Sequence, residues 1–132
     1  MSKKLPRPTE GELAILRVLW AHAGPMTVRE VHRVLSRSKD TAYTTVLKML
    51  SIMAEKGLVR RDESERSHTY AATQTEAVVQ ASLLKDLLRR AFAGSPSALM
   101  QNALEQDIAS DADLEEISRL IARAKARRKN RP

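Results

Sequence analysis

Apolar residues recur at helical spacing along most of this chain, and capping and breaking signals cut the pattern into six helical segments. In the first, Leu13, Leu16, Val18, Leu19 and Trp20 form an apolar face. Thr9 opens it with a capping box completed by Glu12, Gly11 weakens its first turn, and Gly24-Pro25 ends it. A second box, Thr27 to Glu30, opens a short helix carrying Val28, Val31, Val34 and Leu35 and stopping near Ser36. After the turn Ser38-Lys39-Asp40, with Asp40 as the expected cap, a third helix runs to about Lys56, where Gly57 stops it. Val46, Leu50 and Met53, with Met49 alongside, make its inward stripe; Thr44, Thr45, Lys48, Ser51 and Ile52 fall mainly on the other side. Leu58 to Arg61 and Thr69 to Ala71 then read as strands of a hairpin around the polar turn DESERS, which lacks glycine.

Three helices follow. Thr75 caps one running to about Phe92, with Leu84, Leu87, Leu88 and Ala91 as its stripe, and Gly94-Ser95-Pro96 breaks it. The next, Ser97 to about Asp107, carries Leu99, Met100, Ala103 and Leu104. The last begins near Asp111, carries Leu114, Ile117, Ile121 and Ala124, and is expected to fray in the closing KARRKNRP. The first nine residues, basic and broken by proline, read as an arm. No internal repeat is visible.

Three helices and then a hairpin is the order of a winged helix-turn-helix. The expected fold class is mainly α, with a winged helix-turn-helix DNA-binding domain over residues 1–73 and a C-terminal helical dimerisation arm with a basic tail over 74–132. In that geometry the third helix enters the major groove of double-stranded DNA, and its N-terminal and outward residues meet the bases. Those residues are Thr41, Ala42, Tyr43, Thr44, Thr45 and Lys48. Threonine can bond base edges or touch a thymine methyl, and lysine can reach guanine acceptors or a phosphate. The wing offers Arg60, Arg61, Arg66 and His68 to the backbone or minor groove. A polar helix face is usually only solvated, so it is the ordered set that carries the reading. A winged-helix protein-interaction module is the alternative, since fold does not fix function.

Charge supports a division of labour. The net charge is +7, but residues 1–73 hold 13 basic and 8 acidic residues, 74–118 hold 3 and 8, and 119–132 hold 7 and none. On the C-terminal helices, Leu84, Leu88, Leu114, Ile117 and Ile121 are candidate homodimer contacts, with an intrachain core as the equal alternative. Dimerisation suits a reader of two half-sites. The absence of cysteine excludes disulfides and thiolate metal sites, and the three histidines show no ligand spacing. No apolar run approaches the length of a membrane helix and no secretory signal is present, so a cytoplasmic protein without membrane insertion is expected. Aromatics at 3% argue against stacking platforms for single strands. No phosphate loop or catalytic constellation appears; neither an enzyme nor a cofactor is expected.

The chain resembles the penicillinase-repressor family, the BlaI/MecI/CopY group of bacterial transcriptional regulators, over nearly its full length. TEGELAILRVLW looks like the opening helix, TVREVHRVL is similar to the second, and AYTTVLKMLSIMAEKGLV looks like the recognition helix with its TTV and KG stop. ERSHTY resembles the wing, with its basic residue and closing Tyr70. The resemblance implies a homodimeric repressor on a palindromic operator. In the β-lactam branch a membrane sensor protease cleaves the repressor between an asparagine and a phenylalanine. The equivalent bond here is Asn102–Ala103, where Asn102 matches and Ala103 departs. The copper branch carries a cysteine motif that this chain lacks.

Overall fold

A computed structural model describes residues 6–131. The elements are α1 (Glu10–Ala21), β1 (Met26–Thr27), α2 (Val28–Leu35), α3 (Tyr43–Lys56), β2 (Val59–Asp62), β3 (Thr69–Ala72), α4 (Glu76–Ala91), α5 (Pro96–Glu105) and α6 (Asp111–Lys129). They form two compact units, one reaching Leu84 and one starting at Lys85, so the division falls inside α4. Positions 1–5 of the expected N-terminal arm lie outside the described residues.

Both capping boxes read from the sequence form. The Thr9 hydroxyl accepts from the Glu12 N–H at 3.2 Å while Glu12 Oε1 accepts from the Thr9 N–H at 2.9 Å, and Thr27 and Glu30 repeat the exchange at the same distances. Each pair satisfies two amide donors that a helix start leaves without partners. A third box, Ser110 with Asp113, opens α6. Gly57 ends α3 at φ 83°, a left-handed conformation that a Cβ would strain.

Several expectations need correction. Asp40 is not the cap of α3: Ala42 holds that position and makes no side-chain cap bond. The connection is held instead by His32, whose Nε2 lies 2.7 Å from the Thr41 carbonyl and whose ring meets Tyr43 edge-on at 5.7 Å. The wing is not a lone hairpin. Met26 and Thr27 form an added strand on β3, opposite Tyr70 and Thr69, giving the antiparallel order β1-β3-β2. Two residues carry no readable period; pairing creates this strand. Pro96 rather than Ser97 begins α5, with Ser95 as its cap, because proline lacks the amide that the first turn leaves unpaired anyway. Finally, α6 does not fray at KARRKNRP but continues to Lys129.

The N-terminal unit has the core. Ile15, Leu16, Leu19, Met26, Val28, Val31, Val46, Leu50, Met53, Leu58, Val59 and Tyr70 bury one another. Val46, Leu50 and Met53 are fully buried, so the apolar stripe of α3 fixes which side of that helix faces outward. Gly11 faces α3: a Cβ there would stand 2.8 Å from the Met49 methyl, the free end of a flexible side chain that would have to shift aside. At the far end of α3, Lys56 Nζ meets Glu12 Oε1 at 2.7 Å and ties it to the start of α1. Trp20 Nε1 donates to the Gln74 carbonyl at 2.9 Å, tying α1 to the segment before α4.

Candidate nucleic-acid interface

The outward side of α3 is set by the buried stripe behind it. Thr44, Thr45 and Lys48 are exposed, and their side chains have no partner among the described residues. A hydroxyl or ammonium with no protein partner is bonded only to water, which a base edge or phosphate can replace at small cost. Tyr43 is the first helical residue and is exposed, but its ring is steadied by His32. Thr41 and Ala42 precede the helix; Thr41 is half-buried and its hydroxyl donates to the Lys39 carbonyl at 3.2 Å. Thr41 is therefore engaged by its own turn, whereas Thr44 and Lys48 are free to meet a partner.

The wing's turn closes without glycine because Asp62 Oδ1 accepts from the Ser64 N–H at 2.9 Å, an Asx turn that needs no positive φ. Bonds from the Ser64 hydroxyl and then its N–H hold the Asp62 carboxyl below its ordinary value. Arg60, Arg66 and His68 are exposed around this turn. Arg61 differs: its Nε lies 3.0 Å from Glu63 Oε1, and the Tyr70 hydroxyl, followed by Glu63, holds its guanidinium above the ordinary value. Of the four wing residues singled out in the sequence, Arg61 is thus the one already paired.

Between α3, the start of α2 and the wing lies a cleft of about 350 Å³, lined by Thr27, Val28, Arg29, Tyr43, Leu47, Arg66, Ser67, His68 and Tyr70. It brings together three of the residues expected from sequence, Tyr43, Arg66 and His68. It adds Arg29, Leu47 and Ser67, which were not expected. Leu47 had a signal: it lies off the Val46–Leu50–Met53 stripe, and it is 42% exposed. Arg29 stands in the first turn of α2, where the helix dipole disfavours a cation unless an anion is near. Ser67 had no signal, because only the hairpin brings it to α3.

The candidate dimer residues are on α4 and α6. Leu84 is 49% exposed, Leu114 44% and Ile121 51%, while Leu88 and Ile117 are half-buried. No residue of α5 or α6 is buried. Asn102 is exposed and Ala103 half-buried within α5, and the Asn102 carbonyl accepts from the Gln106 N–H at 3.0 Å. No helix among the described residues is long and apolar enough to cross a membrane.

Residues 8–123 match the family model described as penicillinase repressor. The transcriptional regulator BlaI of Mycobacterium tuberculosis is 37% identical over 130 residues, covering 98% of this chain and 93% of that protein. The penicillinase repressor of Bacillus licheniformis is 25% identical over 127 residues, covering 96% and 98%. Among solved structures, the DNA-binding domain of the repressor BlaI matches with a TM-score of 0.50 and 26% identity, over 58% of this chain and 92% of that domain.

Proposed function

The chain belongs to the penicillinase repressor family, and from that premise we propose that it is a cytoplasmic homodimeric repressor that reads a palindromic operator in double-stranded DNA. The family is one of transcriptional repressors rather than enzymes. The observation that carries the reading is the two-sided α3: Val46, Leu50 and Met53 are fully buried behind it while Thr44, Thr45 and Lys48 stand exposed in front, without a partner among the described residues. This is the arrangement by which a helix enters the major groove with its polar side leading. Lys48 and the threonines select bases; Arg60, Arg66 and His68, with Arg29 across the cleft, hold the backbone; Arg61 joins them only by exchanging Glu63 for phosphate.

We assign DNA binding to residues 1–73 and pairing of two copies to 74–132, a functional boundary that precedes the structural division inside α4. Leu84, Leu88, Leu114, Ile117 and Ile121 supply the pairing surface, because α4 and α6 leave large apolar side chains in water that a second copy would cover. Release by a membrane sensor protease would act at Asn102–Ala103. It requires the end of α5 to unwind, since that peptide lies within a hydrogen-bonded helix.

The test is footprinting of the chain on its own upstream region, with Thr44→Ala and Lys48→Ala compared by sedimentation and by binding. Both variants should remain dimers and lose about 1 to 3 kcal/mol of discrimination. Undiminished specific binding by both would show that α3 is not the reading helix. Capture of a protein partner, with no retardation of that DNA at low salt, would favour the interaction-module reading.

A further inference from the structure

We propose that the C-terminal end of α6, Lys125 to Lys129, forms a second, sequence-independent contact with the phosphates of duplex DNA. The inference rests on the reading of the chain as a DNA binder. The helix is divided by charge. Its first turns are acidic, with Asp111, Asp113, Glu115 and Glu116, and its apolar stripe runs Leu114, Ile117, Ile121, Ala124. After Ala124 the helix continues through Lys125, Arg127, Arg128 and Lys129, all exposed, with Ala126 as the one apolar side chain. A hydrophobic partner has nothing to bury there.

Nor do the described residues neutralise these charges. Glu116 meets Arg119 at 2.7 Å and Arg123 at 3.4 Å, and no acidic residue follows it in sequence. Lys125, Arg127, Arg128 and Lys129 make no ion pair among the described residues. Lys125, Arg128 and Lys129 are spaced i, i+3, i+4 and so share one face, a spacing at which like charges repel and disfavour the helix. The helix dipole favours cations at this end, but its influence falls off within the last turn, and Lys125 lies before it. The dipole thus accounts for Arg127, Arg128 and Lys129 in the last turn but not for Lys125, which repels Arg128 and Lys129 on its own face. A surface that cannot bury apolar atoms and repels itself is matched by a polyanion. The chain's other basic surface, on α3 and the wing, already fits DNA.

The test compares the full chain with a Lys125→Gln/Arg127→Gln/Arg128→Gln/Lys129→Gln variant; glutamine preserves helix propensity and removes charge. Fluorescence anisotropy follows binding to a duplex of about 40 base pairs and arbitrary sequence across a salt series, with phosphatidylglycerol vesicles as a second probe. The variant should bind the duplex about tenfold more weakly at low salt, and its log affinity should fall less steeply with log salt. The slope should lessen by about 2 to 3 per chain, at about 0.9 for each phosphate that the variant no longer neutralises. Helix content and sedimentation should match wild type. An unchanged slope and affinity overturn the proposal. So does a weakening confined to vesicles, which would assign the surface to a membrane. The two readings fail separately. A wild-type chain with no preference for its own upstream region over the arbitrary duplex refutes the repressor reading, whereas the α6 contact is decided by the variant's binding to the arbitrary duplex.

Discussion

Replacing Lys56 by methionine should lower stability by about 2 kcal/mol at neutral pH, within the range of a charged hydrogen bond. Its partner Glu12 is 5% exposed and is the one charged residue among those described as buried. Glu12 Oε1 accepts from the Thr9 N–H at 2.9 Å and from Lys56 Nζ at 2.7 Å. Methionine keeps the length and helix propensity of lysine but leaves the carboxylate with its Thr9 bonds and no counter-charge. Stranding one partner of a fully buried ion pair costs about 3 to 5 kcal/mol. Here the Lys56 side chain is 32% exposed, so water already weakens the pair. The cost falls to that of a charged hydrogen bond, about 1.5 to 3 kcal/mol. In a chain of this size that is a melting temperature lower by about 8 °C, measured by circular dichroism at matched concentration.

The pH dependence gives a second check on the same pair. Burial is the largest single influence on Glu12 and pushes its pKa up. The hydrogen bond from Lys56, the Thr9 N–H and the Lys56 charge together outweigh it, so the folded value lies below the ordinary 4.5. A depressed folded pKa means stabilisation that is present above the unfolded value and is lost as pH falls through the folded one. The gap between wild type and Lys56→Met should therefore be full at pH 7 and should close as acid protonates Glu12. Adding Glu12→Gln to the variant should recover part of the stability, since a neutral amide needs no counter-charge. Equal melting temperatures at pH 7, or a gap that never narrows as the pH is lowered from 4.5 into the acid range, would refute the role given to this pair.

Three substitutions elsewhere probe the turns and caps that frame α2 and α3. Gly57→Ala should cost about 1 to 2 kcal/mol in urea denaturation. Its Cβ would meet nothing within 4 Å, so backbone strain at φ 83° is the whole effect, and a neutral result would contradict that conformation. Ala42→Ser should stabilise the fold by up to about 1 kcal/mol, because α3 begins without a side-chain cap; a destabilised variant would mean that serine cannot reach the first-turn amides. Thr27→Ala should cost about 1 kcal/mol through removal of the α2 cap. The Glu30 carboxyl should nevertheless still titrate below 4.5, since its largest influence is the backbone N–H of residue 27, which survives. The part of stability linked to Glu30 is thus present at neutral pH and lost in acid in both proteins, and an NMR titration at or above 4.5 in the variant would contradict this.

Local rules placed the elements, and they did so where the determining chemistry is short-range. Thr9 with Glu12, Thr27 with Glu30 and Gly57 act on amides within a few residues, so their roles are legible from spacing alone. The same holds for α3, because a helical period of about 3.6 residues puts Val46, Leu50 and Met53 on one side and Thr44 and Lys48 on the other. The order of helices and hairpin then implied a winged fold, and with it a candidate DNA face.

Only the tertiary structure decided what depends on segments far apart in sequence. Met26 and Thr27 are a strand because Thr69 and Tyr70 lie beside them. The start of α3 is held by His32 through Thr41 rather than by Asp40, since a cap can be replaced by a contact from another helix. Arg61 is paired while Arg60 has no partner among the described residues, because neighbouring positions on a strand point to opposite faces. Arg29, Leu47 and Ser67 join Tyr43, Arg66 and His68 only when the wing folds back toward α3. Residue type and helical phase are local, so the order of amino acids alone determines which side chains are chemically able to meet DNA. Which of them are free to do so is set by packing and ion pairing, which are not local.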